Sequence, residues 1–157
     1  MTGPGGDAAR PVRERASRII DLTEKLADPV EVLFGVQLGG GTDINRALAY
    51  ARELAVRSSQ THLIMITDLC ECGNRPEMLA RAEEAVLAGI HVIVLLALSD
   101  DGRPSCDIEA AQFFAALGCP VFACTPDQFP DMLAVALQKG DIHAWASGQG
   151  IATVRAG

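Results

Sequence analysis

Apolar residues recur along this chain at two distinct rhythms. Over residues 43–58, Ile44, Ala47, Leu48, Ala51, Leu54 and Ala55 fall three or four apart, the spacing that gathers side chains on one stripe of an α-helix. That stripe is expected to pack on a sheet, with Asn45, Arg46, Arg52 and Glu53 facing water and Thr42 or Asp43 as the cap. The same rhythm over 75–88 turns Met78, Leu79, Ala82, Ala85 and Val86 inward, with Gly89 as the stop. A third helix, from about Asp107 to Leu117, carries Ala110, Ala111, Phe113, Phe114 and Leu117, and Pro130 opens a last one over Asp131 to Lys139, ended by Gly140. Between these lie unbroken apolar runs: Leu63-Ile64-Met65-Ile66, His91 to Leu98, and Pro120 to Cys124. Runs without polar alternation predict strands covered on both faces, and the first reads as a central parallel strand.

Strands alternating with helices at this rhythm predict an α/β fold: a Rossmann-like three-layer sandwich with a mostly parallel sheet, helices on both faces and right-handed crossovers. One domain over 19–140 accounts for the pattern, between a poorly specified segment at 1–18 and a weakly specified tail at 141–157 that carries the single Trp. Within the early part, Arg18 to Thr23 reads as a short strand, and Asp28-Pro29 starts a short helix through Phe34 that Gly35 ends.

Composition narrows the function classes. The chain has 157 residues, 49% of them hydrophobic, enough for one real core. A formal charge of -7 has the wrong sign for a nucleic-acid or anionic-membrane surface, and the arginines at 10, 13, 15 and 18 read as a solvated face. No apolar run approaches the ~20 residues needed to span a bilayer. Five cysteines at irregular spacing, with no signal peptide, predict free thiols and a cytoplasmic protein.

Candidate chemistry gathers at the carboxyl ends of the predicted strands, where open α/β sheets bind ligands. Gly39-Gly40-Gly41-Thr42-Asp43 feeds a flexible loop into a helix, and Thr67-Asp68 ends a buried strand with a carboxylate. Asp100 and Asp101 sit in the turn after the second strand and are candidate partner contacts. His62 and His91 begin their strands and so fall at the opposite edge, which removes the usual general base. The plain alternative is a glycine turn before a helix, with Asp68 as a helix cap. A glycine loop opening a helix also suits phosphate, although neither the P-loop nor the dinucleotide fingerprint is present. Cys70-x-Cys72 with Cys106 and Cys124 near the same edge lacks the usual zinc spacing, and no histidine is placed to activate Cys70.

The segments GGGTDINRAL, LIMITDL, HVIVLLALSDDGRP and CPVFACTPDQFPDML, between about Asp21 and Leu137, resemble the later two-thirds of a von Willebrand factor A (VWA) domain of the bacterial type associated with MoxR-type AAA ATPases. The resemblance implies a metal-ion-dependent adhesion site in which Mg²⁺ is held by three loops: an Asp-x-Ser-x-Ser motif, a threonine matching Thr42 and an aspartate matching Asp68. Gly39, Gly40 and Gly41 then shape the second loop, with Asp43 as its cap or an outer oxygen. A partner's acidic side chain completes the metal's shell in that family. This sequence contains no Asp-x-Ser-x-Ser, and residues 1–18 lack the length and apolar content of the strand and helix that carry and follow it.

The expectation is therefore an incomplete VWA fold acting as a protein-interaction module, not an enzyme, in which Mg²⁺ binds weakly or not at all. Its implied partner is a MoxR-type AAA ATPase or an acidic client. The strand His62–Thr67 is expected to lose its family neighbour and become an apolar edge, covered by Arg18–Thr23 or by a second chain in a homodimer. The alternative is a small Rossmann-like nucleotide- or phosphate-binding enzyme domain using the same edge.

Overall fold

The computed structural model describes residues 43–71, 73–98, 101 and 106–157. The expected strand and helix before Gly35, the glycines at 39–41, Thr42, Cys72 and Asp100 lie outside the described residues. In chain order the elements are α1 (Ile44–Leu54), a short 3-10 turn (Ser58–Gln60), β1 (His62–Thr67), α2 (Arg75–Leu87), β2 (His91–Leu96), α3 (Ile108–Ala116), β3 (Val121–Phe122), α4 (Phe129–Leu137) and α5 (Ile142–Gly148).

The three strands form one parallel sheet in the order β1-β2-β3, an α/β arrangement as the alternation predicts. β1 and β2 pair from His62 opposite His91 to Thr67 opposite Leu96. Parallel neighbours need a crossover, and α2 and α3 supply the two.

The period of two in β2 divides the core. Val92, Val94 and Leu96 join a cluster with Ile44, Leu48, Met78, Ala82, Ala85 and Phe114, so α2 and α3 cover that face, with α1 packed against α2. Ile93 and Leu95 join Phe122, Phe129, Met132, Ala136 and Ile142 on the other, beneath α4 and α5. Two helical layers around one sheet make the expected three-layer sandwich. Phe114 and Phe122, one in each cluster, are fully buried.

Several expectations need correction. Among the described residues β2 has a strand on each side, and β1 pairs with β2. Leu63 and Met65 pack on one cluster and Ile64 on the other, but Ile66 is 53% exposed. The α1 stripe lies mainly against α2 rather than on the sheet. Only Ile44 and Leu48 of that stripe are buried, and the helix ends at Leu54, which is exposed. Asn45, expected to face water, is half-buried.

The segment after Gly140, expected to be weakly specified, is structured. Asp141 caps α5 by accepting the Ala144 amide at 3.0 Å, and Ile142 and Ala146 are buried. The Trp145 ring tilts against Phe122 at 6.0 Å. Thr153 bridges antiparallel to Phe122, and the Val154 amide donates to the Val121 carbonyl at 2.8 Å, so the chain end extends a sheet whose named strands are parallel. The signal was an Asp cap before a short apolar stretch, too brief to register as a helix.

Helix ends explain a further difference. Gly89 at φ +94° closes α2, with Ile90 N–H reaching back to the Ala85 carbonyl at 3.1 Å. At the end of α4 the left-handed residue is Lys139, at φ +56°, and not Gly140. Gly140 N–H makes the equivalent bond to the Val135 carbonyl at 2.8 Å, and a Cβ there would meet Val135 at 2.8 Å, so glycine is required one residue later than the usual stop. Opposite signs follow for two substitutions. Gly89→Ala, whose new Cβ meets nothing closer than Ser59 at 3.8 Å, costs backbone energy of about 1 kcal/mol, whereas Lys139→Gly gains about 0.5 kcal/mol. Urea unfolding midpoints moving down for the first and up for the second check this; a matching sign contradicts it.

Candidate functional site

The carboxyl edge is assembled by backbone geometry more than by side-chain ion pairs. The chain leaves β1 through Thr67, whose hydroxyl accepts the Leu69 amide at 3.0 Å. Leu69 then takes a left-handed φ of +60° with its side chain fully buried. A leucine holds that conformation because burial of its side chain offsets roughly 1–2 kcal/mol of backbone cost. The reversal leaves half-buried Asp68 beside it, with Oδ1 accepting the Cys70 amide at 2.9 Å in an Asx-turn. Asp68 is therefore not a helix cap; Asn74 caps α2, accepting the Glu77 amide at 3.1 Å.

Two links tie this loop to its neighbours. The Asn45 amide donates to Glu71 Oε2 at 2.8 Å, joining the start of α1 to the loop after Asp68 across 26 residues of sequence. The Asp107 amide donates to the Asp68 carbonyl at 2.9 Å, joining the loop before α3 to the same turn. Asp43 caps α1, its Oδ1 accepting the Arg46 amide at 2.9 Å while Oδ2 stands 3.5 Å from Arg46 Nε. Of the predicted site residues the structure thus places Asp43 and Asp68 on one edge, with the loops carrying them in contact through Glu71. Exposed Asp101 follows β2 in the chain, and Thr42, the three glycines and Asp100 lie outside the described residues.

Arg75 braces the edge. Its Nε donates to Asp107 Oδ2 at 2.9 Å and its Nη2 donates to Asp107 Oδ1 and to Glu109 Oε2, each at 3.2 Å. Asp107 also caps α3, accepting the Ala110 amide at 3.0 Å. The Arg75 guanidinium, aided by that amide, holds the Asp107 carboxyl below the usual carboxylate range. The apolar run after Asp107 placed a helix start there, but Arg75 and Glu71 carried no sequence signal, because their partners are 32 and 26 residues away.

The edge does not supply a full Mg²⁺ shell from the described side chains. Both Glu71 oxygens accept amides, from Asn45 at 2.8 Å and Gly73 at 2.7 Å, and Asp43 serves its helix and Arg46. Among the described residues no group of three or more His, Cys, Asp or Glu is placed to hold a metal ion. Cys106, Cys119 and Cys124 are free thiols. Burial, then Cys70, Asp107 and Asp68, push the Cys106 thiol up, so it stays protonated at neutral pH. No helix among the described residues is long and apolar enough to cross a membrane.

A parallel α/β sandwich with an aspartate-bearing loop after its first described strand defines the class. The sequence matches the family model described as VWA domain containing CoxE-like protein over residues 15–133, and the chain belongs to that family. It is similar to the uncharacterized protein YehP of Escherichia coli (strain K12), with 37% identity over 121 residues. That match covers 77% of this chain and 32% of YehP, so the chain spans about a third of the relative's length. No solved structure matches.

The Arg75–Asp107 pairing gives a pH test. A depressed folded-state pKa contributes stability that is present above the ordinary carboxylate value and lost as pH falls through the depressed one. Asp107→Ala is expected to lower stability by about 1–2 kcal/mol at neutral pH, with the deficit closing in acid below the ordinary carboxylate range. Urea unfolding at both pH values measures it, and a deficit unchanged by acid contradicts the assignment.

Proposed function

We propose that this VWA domain is a protein-interaction module whose carboxyl edge meets the partner, and that the edge keeps part of a metal-ion-dependent adhesion site. Thr42 and Asp68 are its remaining ligands, Gly39 to Gly41 shape the loop, and Asp100 and Asp101 are outer contacts. The Asn45–Glu71 bond of 2.8 Å carries this reading, because it holds the start of α1, just after Thr42, against the loop that follows Asp68. One hydroxyl and one carboxylate leave most of a near-octahedral Mg²⁺ shell to water, so the ion is held weakly. Recognition then rests on the fixed polar surface of Asp43, Asp68 and Glu71 rather than on a metal-bridged carboxylate. A MoxR-type AAA ATPase is the proposed partner, in the cytoplasm, and no catalytic role is assigned. The crowd of carboxylates at 68, 71, 107 and 109 disfavours the phosphate-binding alternative by like-charge repulsion.

Calorimetric titration of MgCl₂ into the chain is expected to show no saturable heat below the millimolar range, with Asp68→Ala indistinguishable. Micromolar binding abolished by Asp68→Ala overturns the reading. Against a purified MoxR-type ATPase from the same genome, Asp68→Ala is expected to weaken binding while EDTA leaves it unchanged; binding lost in EDTA contradicts a metal-independent surface.

A further inference from the structure

All three histidines of the chain meet at the edge opposite that site. His62, His91 and His143 line one cleft of about 430 Å³, together with Lys139. His62 and His91 begin β1 and β2 directly opposite one another, and their rings stack with centroids 5.0 Å apart. Lys139 and His143 flank the turn from α4 into α5, and much of the remaining lining is apolar, with Ile93, Leu117, Pro120 and Ile142. This is the composition of a small-ligand site: a mostly apolar cavity with a few convergent polar groups.

The polar groups are not consumed by the fold. His62 Nδ1 is buried and makes no hydrogen bond, and His91 makes a 3.3 Å contact from Nε2 to the Ser59 carbonyl. That atom is closed off from the cleft, so a bound anion meets the His62 ring through Nε2. The ionisable groups facing the pair are few. Lys139 is positive, Cys119 has its thiol pushed up to about 11 by burial and is neutral, and Asp141 is committed to capping α5 through Oδ1. Burial, then His91, then Lys139, hold His62 below the ordinary imidazole range, so the free cleft keeps it neutral. A bound negative charge offsets the repulsion from His91 and Lys139. Lys139 stands against one carboxylate, Asp141, so the cleft becomes net positive when an imidazole takes up a proton, and its apolar walls then favour a monoanion with an apolar body; no metal-ligating group of three is present among the described residues.

We propose that this cleft binds a small apolar carboxylate, its charge met by His62, His91 and Lys139 and its body laid on Ile93, Leu117 and Ile142. Because the anion stabilises protonated imidazole, binding takes up a proton, and by reciprocity affinity rises as pH falls through the histidine range. The site is independent of the carboxyl edge, so either reading stands if the other fails.

Sodium benzoate titrated into the full chain, followed by amide and histidine-ring NMR, tests this. Saturable shifts are expected at His62, His91, Lys139 and His143, with affinity about tenfold tighter at about pH 6 than at about pH 8. The His62 ring titration is expected to move upward when benzoate is bound. Benzamide, neutral and of the same shape, is expected to bind far more weakly. Lys139→Gly, which the backbone favours, is expected to lower benzoate affinity while the chain stays folded. Absence of saturable shifts at both pH values, equal binding of benzamide, or an affinity indifferent to pH and to Lys139→Gly overturns the proposal.

Discussion

Parallel pairing of β2 with a neighbour on each side is the constraint from which the rest follows. A strand that turns Val92, Val94 and Leu96 one way and Ile93 and Leu95 the other must have both faces covered. Two helices, backed by α1, meet the first demand and two the second. Parallel direction also sorts the loops: every strand enters at one edge and leaves at the other. Thr67 and Asp68 therefore share an edge with the start of α3, and the histidines that begin β1 and β2 share the other with the turn between α4 and α5.

The two edges differ in chemistry as a result. Carboxylates and backbone amides dominate the carboxyl edge, where Glu71 and Asp107 spend their oxygens locking loops together. Imidazoles, an ammonium and apolar walls make the amino edge. A chain with net charge -7 has thus gathered its histidines with Lys139 in one cleft, well placed for anions, while its other edge presents negative charge. Membership of the VWA family fixes the architecture, and what each edge recognises depends on these side chains.

Much of the fold was legible because the dominant signal, apolar periodicity, is the quantity that burial acts on. Helices α2 and α3 begin and end within a residue or two of where Gly89, Asp107 and Leu117 place them. Failures have physical causes. The stop of α4 was misplaced by one residue because Lys139 adopts a backbone conformation that glycine normally supplies. Asp68 and Asp43 could be found by motif and capping rules. Glu71, Arg75 and the convergence of His143 on the strand histidines depend on contacts between distant segments, which no local pattern encodes.

The central claim is that the carboxyl edge is a surface held ready by the sheet, not a set of free loops. Native-state amide exchange tests it most directly, because the Asn45 and Asp107 amides each close a loop onto the turn at Asp68. Both are expected to open only with the global unfolding that releases Val92 to Leu96. Exchange of Asn45 and Asp107 at the rate of unprotected amides, while β2 stays protected, would contradict the account.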